Sequence, residues 1–206
     1  MSDIAKIDKN FAVDTKIQKE NIKFYNVLEA PFKVYGVKHE NGRFRRMPEA
    51  VAKTVSEGVY TLHTYTAGGR VRFKTDSSYV AIHYEGWCGR MAHMAFTGSV
   101  GFDLYVLDEE GKEQYVNTFK PDVNSTQGFE GVIEIWSKKM REVTINFPTY
   151  SIVNNLYIGL ENDAVVEEHR PYKIECPFGY YGSSITQGGC ATRAGMNYEA
   201  IISRRF

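Results

Sequence analysis

The residue types that could do chemistry lie together in one short run, Gly182-Ser183-Ser184-Ile185-Thr186-Gln187-Gly188-Gly189. A serine placed between a strand and a helix exposes its hydroxyl, and neighbouring backbone N–H groups can point at a developing oxyanion. Ser184 is therefore the candidate nucleophile, with Gly182 allowing a sharp turn and Gly188 keeping the following loop slim. Because small residues are also typical of ordinary loops, the run alone does not decide between the two interpretations.

A serine hydroxyl becomes a useful nucleophile near neutral pH only beside a base, since its own pKa is far too high. All five histidines precede Ser184, and none has the spacing Asp-x-x-His: His39, His63, His83, His93 and His169. His83 alternates with apolar neighbours and should be solvated or hydrogen-bonded, whereas His63 should be a satisfied sheet histidine. We therefore expect no catalytic base among them, although His169 could approach a domain interface.

Alternation of apolar and polar residues dominates the sequence from residue 32 onward. The clearest apolar sets are Val71 and Phe73; Val80, Ile82 and Tyr84; and Val143, Ile145 and Phe147. Such alternation is typical of half-buried strands. Turn-forming residues separate about nine strand-like runs between residues 60 and 160, at the spacing of an antiparallel β-sandwich or jelly roll. The sequence therefore predicts a mostly β fold.

Changes in composition divide the chain into four parts. Residues 1–21 are polar and weakly periodic, which indicates a mobile or loosely docked lead-in before a β domain over residues 22–161. Residues 162–171 are polar and end in a proline, as linkers between domains often do. Residues 172–206 have the pattern of a strand over 172–181, a tight turn and a helix, which is the opening of an α/β domain.

Two helices are predicted, a short one over residues 48–53 and a second one capped by Asn197. The apolar stripe of the second helix continues to the end of the sequence without a C-cap, so the α/β domain looks cut short. We expect its apolar side chains to be exposed and to cause self-association into a homo-oligomer, or loss of order beyond Gly189. The side chains concerned are Tyr198, Ile201 and Phe206.

Composition narrows the classes of partner. Lys and Arg number 25, equal to Asp and Glu, so no net field exists to attract nucleic acid or an anionic membrane surface. A neutral small molecule or a protein is the expected partner. The three cysteines form no CxxC pair, which argues for reduced thiols and against a zinc site, and no cofactor or metal is expected. The N-terminus has no apolar leader and no stretch could span a bilayer, which predicts a cytoplasmic protein.

The run that contains Ser184 resembles the first block of the SGNH (GDSL-like) hydrolases, Gly-Asp-Ser-Ile/Leu-Thr-x-x-Gly. Ser183 stands where most of that superfamily has Asp, which removes the hydrogen bonds of that carboxylate but not the serine. A separate stretch, Gly101-Phe102-Asp103-Leu104-Tyr105, is similar to the Gly-x-Asp-Leu-Tyr signature of N-terminal domains that precede SGNH esterases. Residues 66–77 also resemble that family. The resemblance covers residues 32–206 and implies a β-sandwich or jelly roll that leads into an α/β hydrolase domain.

The resemblance makes Ser184 the nucleophile and its own backbone N–H one oxyanion donor. The remaining oxyanion donors of the family, a Gly and an Asn, and its late Asp-x-x-His pair lie downstream of the first block. We therefore expect this chain to be the N-terminal part of a serine carboxylic-ester hydrolase, inactive alone, whose substrates are small acyl esters of the carbohydrate-linked class.

The alternative from another functional class is a non-catalytic β-sandwich module that binds carbohydrate or a protein. The fourteen tyrosines, with Trp87 and Trp136, could line a sugar-binding face, although aromatic residues of a sandwich more often pack in its core and edges. Asp103 also has two interpretations, as a functional acid or as a structural residue that accepts hydrogen bonds from a neighbouring loop. The absence of a partner acid or base in the sequence favours the structural role.

Overall fold

The computed structural model describes residues 13–206, which form a β-sandwich followed by a short helical segment. The strands in this range are β1 (Ile22–Asn26), β2 (Lys33–Tyr35), β3 (Lys38–Glu40), β4 (Arg43–Arg45), β5 (Arg70–Thr75), β6 (Tyr79–Trp87), β7 (Phe102–Leu107), β8 (Glu113–Phe119), β9 (Gln127–Glu134), β10 (Arg141–Asn146), β11 (Ile152–Glu161) and β12 (Val166–Glu167). The helices are α1 (Glu49–Val55), α2 (Glu57–Leu62), α3 (Phe96–Ser99) and α4 (Tyr198–Ser203), with a 3₁₀ helix at Ala194–Met196.

Two antiparallel sheets face each other. The first has the strand order β1-β11-β6-β9, and the second has the order β12-β5-β10-β7-β8, with β2 also paired to β5. Strands β3 and β4 form a separate hairpin. Strand pairs are antiparallel throughout the described residues, which confirms the predicted mostly β sandwich.

The alternating apolar residues form the core between the sheets. Val80, Ile82 and Tyr84 of β6 are buried, and the Tyr84 ring lies 5.1 Å from the ring of Phe102 on β7 of the opposite sheet. Each side chain of this size contributes about 1.5–3 kcal/mol to folding when it leaves water. The apolar residues of β5 and β10 are likewise fully buried, as their alternation predicts.

The lead-in and the helix predictions have mixed outcomes. Residues 1–12 of the predicted lead-in lie outside the described residues, whereas Lys16 N donates to Glu130 Oε2 at 2.8 Å and Lys19 Nζ lies 2.7 Å from Glu134 Oε1. Residues 13–21 are therefore docked on β9. Helix α1 confirms the short helix predicted over residues 48–53, with Pro48 immediately before its first turn.

The strand predicted after β11 is wrong. Residues 172–181 form no strand, because a strand needs a neighbour to share its backbone hydrogen bonds and no described segment pairs with this one. Residues 162–171, predicted to be a linker, pack on the sandwich, since β12 pairs with β5 and His169 is buried. The ring of Tyr172 lies over the guanidinium of Arg72, 3.8 Å from its Cζ, and this packing covers the outer face of β5.

Cys88, Cys176 and Cys190 are all free, and of the three only Cys88 is buried. No helix in residues 13–206 is long and apolar enough to cross a membrane. Within the same residues, no group of His, Cys, Asp and Glu side chains is arranged to hold a metal ion.

Candidate active site

Ser184 lies at the start of a hydrogen-bonded turn. Gly189 N donates to Ser184 O at 2.7 Å, and Gln187 N donates to Ser183 O at 3.1 Å. The Ser184 residue is exposed, and within residues 13–206 neither its hydroxyl nor its backbone N–H has a hydrogen-bond partner. A serine hydroxyl and an adjacent unpaired amide, both open to solvent, are the parts that attack on a carbonyl and oxyanion binding require.

Two glycines, Gly182 and Gly188, lie at close-packed positions of this turn. Gly188 has a φ of +88°, in the left-handed region that side chains disfavour. A Cβ on Gly182 would lie 2.1 Å from Thr186 Oγ1, so any larger residue would force the Thr186 side chain to move.

The turn rests on a loop of the sandwich, residues 147–151, which follows β10. Tyr150 Oη donates to Ser184 O at 3.3 Å, and Gln187 Nε2 donates to Thr149 O at 3.2 Å. Arg46 Nη2 donates to Gln187 Oε1 at 3.1 Å, and burial lowers the pKa of Arg46. None of Tyr150, Thr149 and Arg46 was identified from the sequence, because they lie at least 34 residues before Ser184 and belong to no recognisable motif.

Asp103 joins the sandwich to the segment after the turn. Its side chain has no exposed surface; Oδ2 accepts a hydrogen bond from Gly195 N at 2.6 Å and Oδ1 accepts one from Thr118 Oγ1 at 2.9 Å. Burial raises the pKa of Asp103 to about 6, against the opposing effects of these hydrogen bonds and of Arg193 and Arg204. These contacts give Asp103 the structural role that was expected. One of its partners, Gly195, belongs to a distant segment of the chain and not to a neighbouring loop.

The residues beside Asp103 continue this interface. Phe102 and Leu104 point into the core, whereas Asp103 and Tyr105 point outward onto residues 190–206, as alternation along β7 requires. Arg204 Cζ lies 4.6 Å from the centre of the Tyr105 ring. The five-residue stretch at the start of β7 therefore holds the core with one face and the serine-bearing segment with the other.

Helix α4 begins where the sequence predicted. Asn197 Oδ1 accepts a hydrogen bond from Ala200 N at 2.8 Å, which is an N-cap contact. Tyr198 and Phe206 are exposed, as expected. Ile201 was also expected to be exposed, but it is half-buried. The helix packs beside a cavity of about 830 Å³ that residues 171–180 border. Self-association through these side chains stays a prediction.

Loss of the cap gives a first testable result. We expect Asn197→Ala to lower the free energy of unfolding by about 1 kcal/mol, because an N-cap substitution leaves an orphan backbone N–H. Urea denaturation measures the loss, and amide exchange locates it in α4. Ser56→Ala, which removes the contact from Val59 N at the start of α2, is the matched control. Equal exchange of α4 amides in both variants would contradict the cap assignment.

No histidine within residues 13–206 hydrogen-bonds with Ser184. His83 Nδ1 lies 2.7 Å from Glu130 Oε1, which confirms the hydrogen-bonded strand residue that was expected. His63 caps the end of α2 and accepts from Arg45 Nη1 at 2.6 Å, so its assignment to a sheet is wrong. Arg72 Nη2 donates to His169 Nε2 at 3.2 Å, and His169 thus serves the sandwich.

Family models match both parts of this architecture. Residues 22–166 match the family GxDLY, described as the N-terminus of SGNH-hydrolase-type esterases. This chain belongs to the GxDLY family. Residues 175–206 match the GDSL-like lipase/acylhydrolase family, and that match includes the whole Ser184 turn. The GxDLY signature is the stretch around Asp103, whose side chain accepts the hydrogen bond from Gly195 N.

Two solved structures resemble the GxDLY chain. A GDSL-like lipase from Bacteroides ovatus ATCC 8483 is 28% identical with a TM-score of 0.76, over 89% of this chain and 53% of that one. The salicylyl-acyltransferase SsfX3 from a tetracycline biosynthetic pathway is 16% identical with a TM-score of 0.63, over 91% of this chain and 52% of that one, and shows the fold alone. The GxDLY chain thus spans about half the length of these structures. No curated protein matches it.

Proposed function

We propose that this chain supplies the serine nucleophile of an SGNH-type carboxylic-ester hydrolase. The observation that carries the proposal is the exposed Ser184 hydroxyl beside its own unpaired backbone N–H, on a turn fixed to the sandwich. The match of residues 175–206 to GDSL-like lipases supports the assignment. Gly182 and Gly188 shape the turn around the nucleophile, and Ser183 contributes through its backbone carbonyl, which accepts from Gln187 N.

In the proposed reaction, Ser184 Oγ attacks the ester carbonyl carbon, and a base takes the hydroxyl proton. The backbone N–H of Ser184 donates to the developing oxyanion, the alcohol leaves with that proton, and water then hydrolyses the acyl-enzyme. The five histidines of this chain all precede the turn, and those in contact with partners serve the sandwich. We propose that the base belongs to sequence downstream of residue 206, as in the family pattern, and that this chain is inactive alone.

Small acyl esters, in particular carbohydrate-linked ones, are the proposed substrates. A balanced charge of 25 basic and 25 acidic residues supports neutral small molecules over nucleic acid or anionic membranes as partners. The proposed reaction needs no cofactor, because serine acyl transfer uses only side chains and water. A cytoplasmic location and homo-oligomer formation stay predictions from the sequence.

A serine-directed phosphonate tests the proposal. We expect the probe to label Ser184 in the protein extended downstream of residue 206, and Ser184→Ala to lose labelling and to hydrolyse an activated acetyl ester about a thousandfold more slowly. Ser183→Ala is the matched control, because Ser183 is also exposed and its hydroxyl has no hydrogen-bond partner within residues 13–206. Mass spectrometry of the labelled peptide reads the result.

Each outcome discriminates between functions. Labelling of the extended protein but not of the 206-residue chain supports an esterase whose base lies downstream. Labelling that survives Ser184→Ala but not Ser183→Ala would move the nucleophile by one residue. The absence of labelling in every form would favour a non-catalytic binding module.

A further inference from the structure

The loop that supports the Ser184 turn, residues 147–151, is itself hydrogen-bonded to helix α3. Thr149 N and Thr149 Oγ1 both donate to Gly98 O, at 3.1 and 2.9 Å. Ser151 Oγ donates to Ser99 O at 2.8 Å, and Tyr150 N donates to the same carbonyl at 3.2 Å. These hydrogen bonds attach the loop to α3. The side chain of Tyr150 is buried, with a relative exposure of 5%. The loop is therefore a rigid support.

The support contacts the turn at several points. The Tyr150 hydroxyl donates to the Ser184 carbonyl, and Gln187, also buried, donates to the Thr149 carbonyl. A Cβ on Gly188 would lie 3.1 Å from Thr149 Cγ2, so the backbone of Gly188 packs closely against the Thr149 side chain. Of these contacts, the one from Tyr150 reaches the candidate nucleophile residue itself.

We infer that Tyr150 of the sandwich is a positioning residue for Ser184. This inference rests on the proposed role of Ser184 as nucleophile. The Ser184 carbonyl accepts from Tyr150 Oη and from Gly189 N, which fixes the plane of the peptide that follows Ser184. That peptide links Cα of Ser184 to Ile185, so fixing its plane restricts the ψ angle of Ser184 and hence the direction in which its side chain leaves the turn. The sandwich thereby sets the geometry of attack without contacting the substrate.

The protonation state of the Tyr150 phenol is consistent with a constant role as hydrogen-bond donor. Burial raises the pKa of Tyr150, and the nearby Arg46 cation opposes the rise only in part. Cys190 and Tyr65 are the other titratable groups close to the phenol. The raised pKa keeps the Tyr150 phenol protonated near neutral pH, so its contribution to the rate should not depend on pH there. A general acid or base at this position would change the pH profile.

Tyr150→Phe tests the inference, because it removes the hydroxyl and keeps the buried ring. In the extended protein, we expect phosphonate labelling of Ser184 and kcat to fall about tenfold, with KM within about twofold and an unchanged pH profile. In the 206-residue chain, we expect the Gly189 amide to exchange about fivefold faster, since one hydrogen bond to its acceptor carbonyl is lost. Tyr157→Phe on β11, which contacts His83 and not the turn, is the matched control.

The outcomes separate this inference from the proposed function. Slower labelling in Tyr150→Phe than in Tyr157→Phe, at equal thermal stability, supports a positioning role. Equal labelling rates in the two variants would overturn it. If the wild-type protein is never labelled, the proposed function fails, and amide exchange alone decides: faster Gly189 exchange supports fixation of the turn by Tyr150, and unchanged exchange refutes it.

Discussion

The Asp103→Asn variant should be more stable than the wild-type chain at pH 8, and the two should converge as the pH falls towards 4. Burial raises the pKa of Asp103 from its usual 3.8 to about 6 in the folded chain. A carboxyl group whose folded pKa is raised stabilises the fold when protonated, and that stabilisation disappears as the pH rises through the folded pKa. The wild type therefore loses stability between about pH 4 and pH 6, by on the order of 2–3 kcal/mol.

Asparagine should keep both contacts of Asp103 without the buried charge. Its carbonyl oxygen can accept from Gly195 N, and its amide can donate to Thr118 Oγ1, whose hydroxyl can then donate to Tyr115 Oη at 2.9 Å. A neutral side chain also avoids the desolvation cost that burial imposes on a carboxylate. The interface to the serine-bearing segment should thus remain closed over the whole pH range.

Urea denaturation at pH 4, 5, 6, 7 and 8 measures this difference. Subtraction of the two curves isolates Asp103, because the other shifted groups, such as Glu142 with a lowered pKa and Glu199 with a raised pKa, are common to both chains. Asp122→Asn is the matched control, since Asp122 is exposed and its carboxylate makes no hydrogen bond within residues 13–206. Parallel curves for wild type and Asp103→Asn would show that the carboxyl is not desolvated as the geometry indicates.

The core of the sandwich could be predicted from the sequence because alternation depends on local geometry. Val80, Ile82 and Tyr84 must share a face of β6 whatever lies opposite, and all three are buried. The cap at Asn197 was predictable for the same reason, since its partner, Ala200 N, is three residues away. The position of Ser184 in a tight turn likewise follows from the run of small residues around it.

The long-range contacts could not be predicted in this way. Arg72 alternates with the apolar residues Val71 and Phe73, which places it on the opposite face of β5, but alternation does not show that Tyr172 and His169, about a hundred residues later, bury it there. Residues 172–181 have strand-forming side chains, but a strand exists only where a partner supplies hydrogen bonds. The contact between Asp103 and Gly195 spans 92 residues, and no local pattern marks it. The support of the site thus depends on pairings that only the folded chain reveals.

Gly98→Ala should detach the serine-bearing segment from the sandwich. A Cβ on Gly98 would lie 2.2 Å from Ala191 O and 3.2 Å from Ala191 C, and both atoms belong to backbone that cannot rotate away. The α3 side cannot yield easily, because Thr149 N and Oγ1 both hold the Gly98 carbonyl. We therefore expect Ala191 to move outward, at a cost of about 1–3 kcal/mol in unfolding free energy.

Displacement of Ala191 should also shift the position of Ser184. Ala191 N donates to Gly188 O at 3.1 Å, and Thr97 Oγ1 donates to Thr192 O, so displacement of residues 191–192 pulls on the end of the Ser184 turn. A misplacement of about 1 Å at a reacting group can cost about a hundredfold in rate. We expect phosphonate labelling of Ser184 in the extended protein to slow by at least about tenfold.

Gly58→Ala provides the control of opposite sign. Gly58 lies inside α2, where a Cβ would meet only Ser56 Oγ at 4.0 Å, so alanine should stabilise the helix by about 0.5–1 kcal/mol. Thermal unfolding of both variants, with the labelling rate, distinguishes close packing from a general effect of the added methyl group. A Gly98→Ala chain as stable and as reactive as Gly58→Ala would mean that α3 and Ala191 are not in contact. A loss of both stability and labelling in Gly98→Ala alone would show that the close contact between the sandwich and Ala191 holds the nucleophile in place.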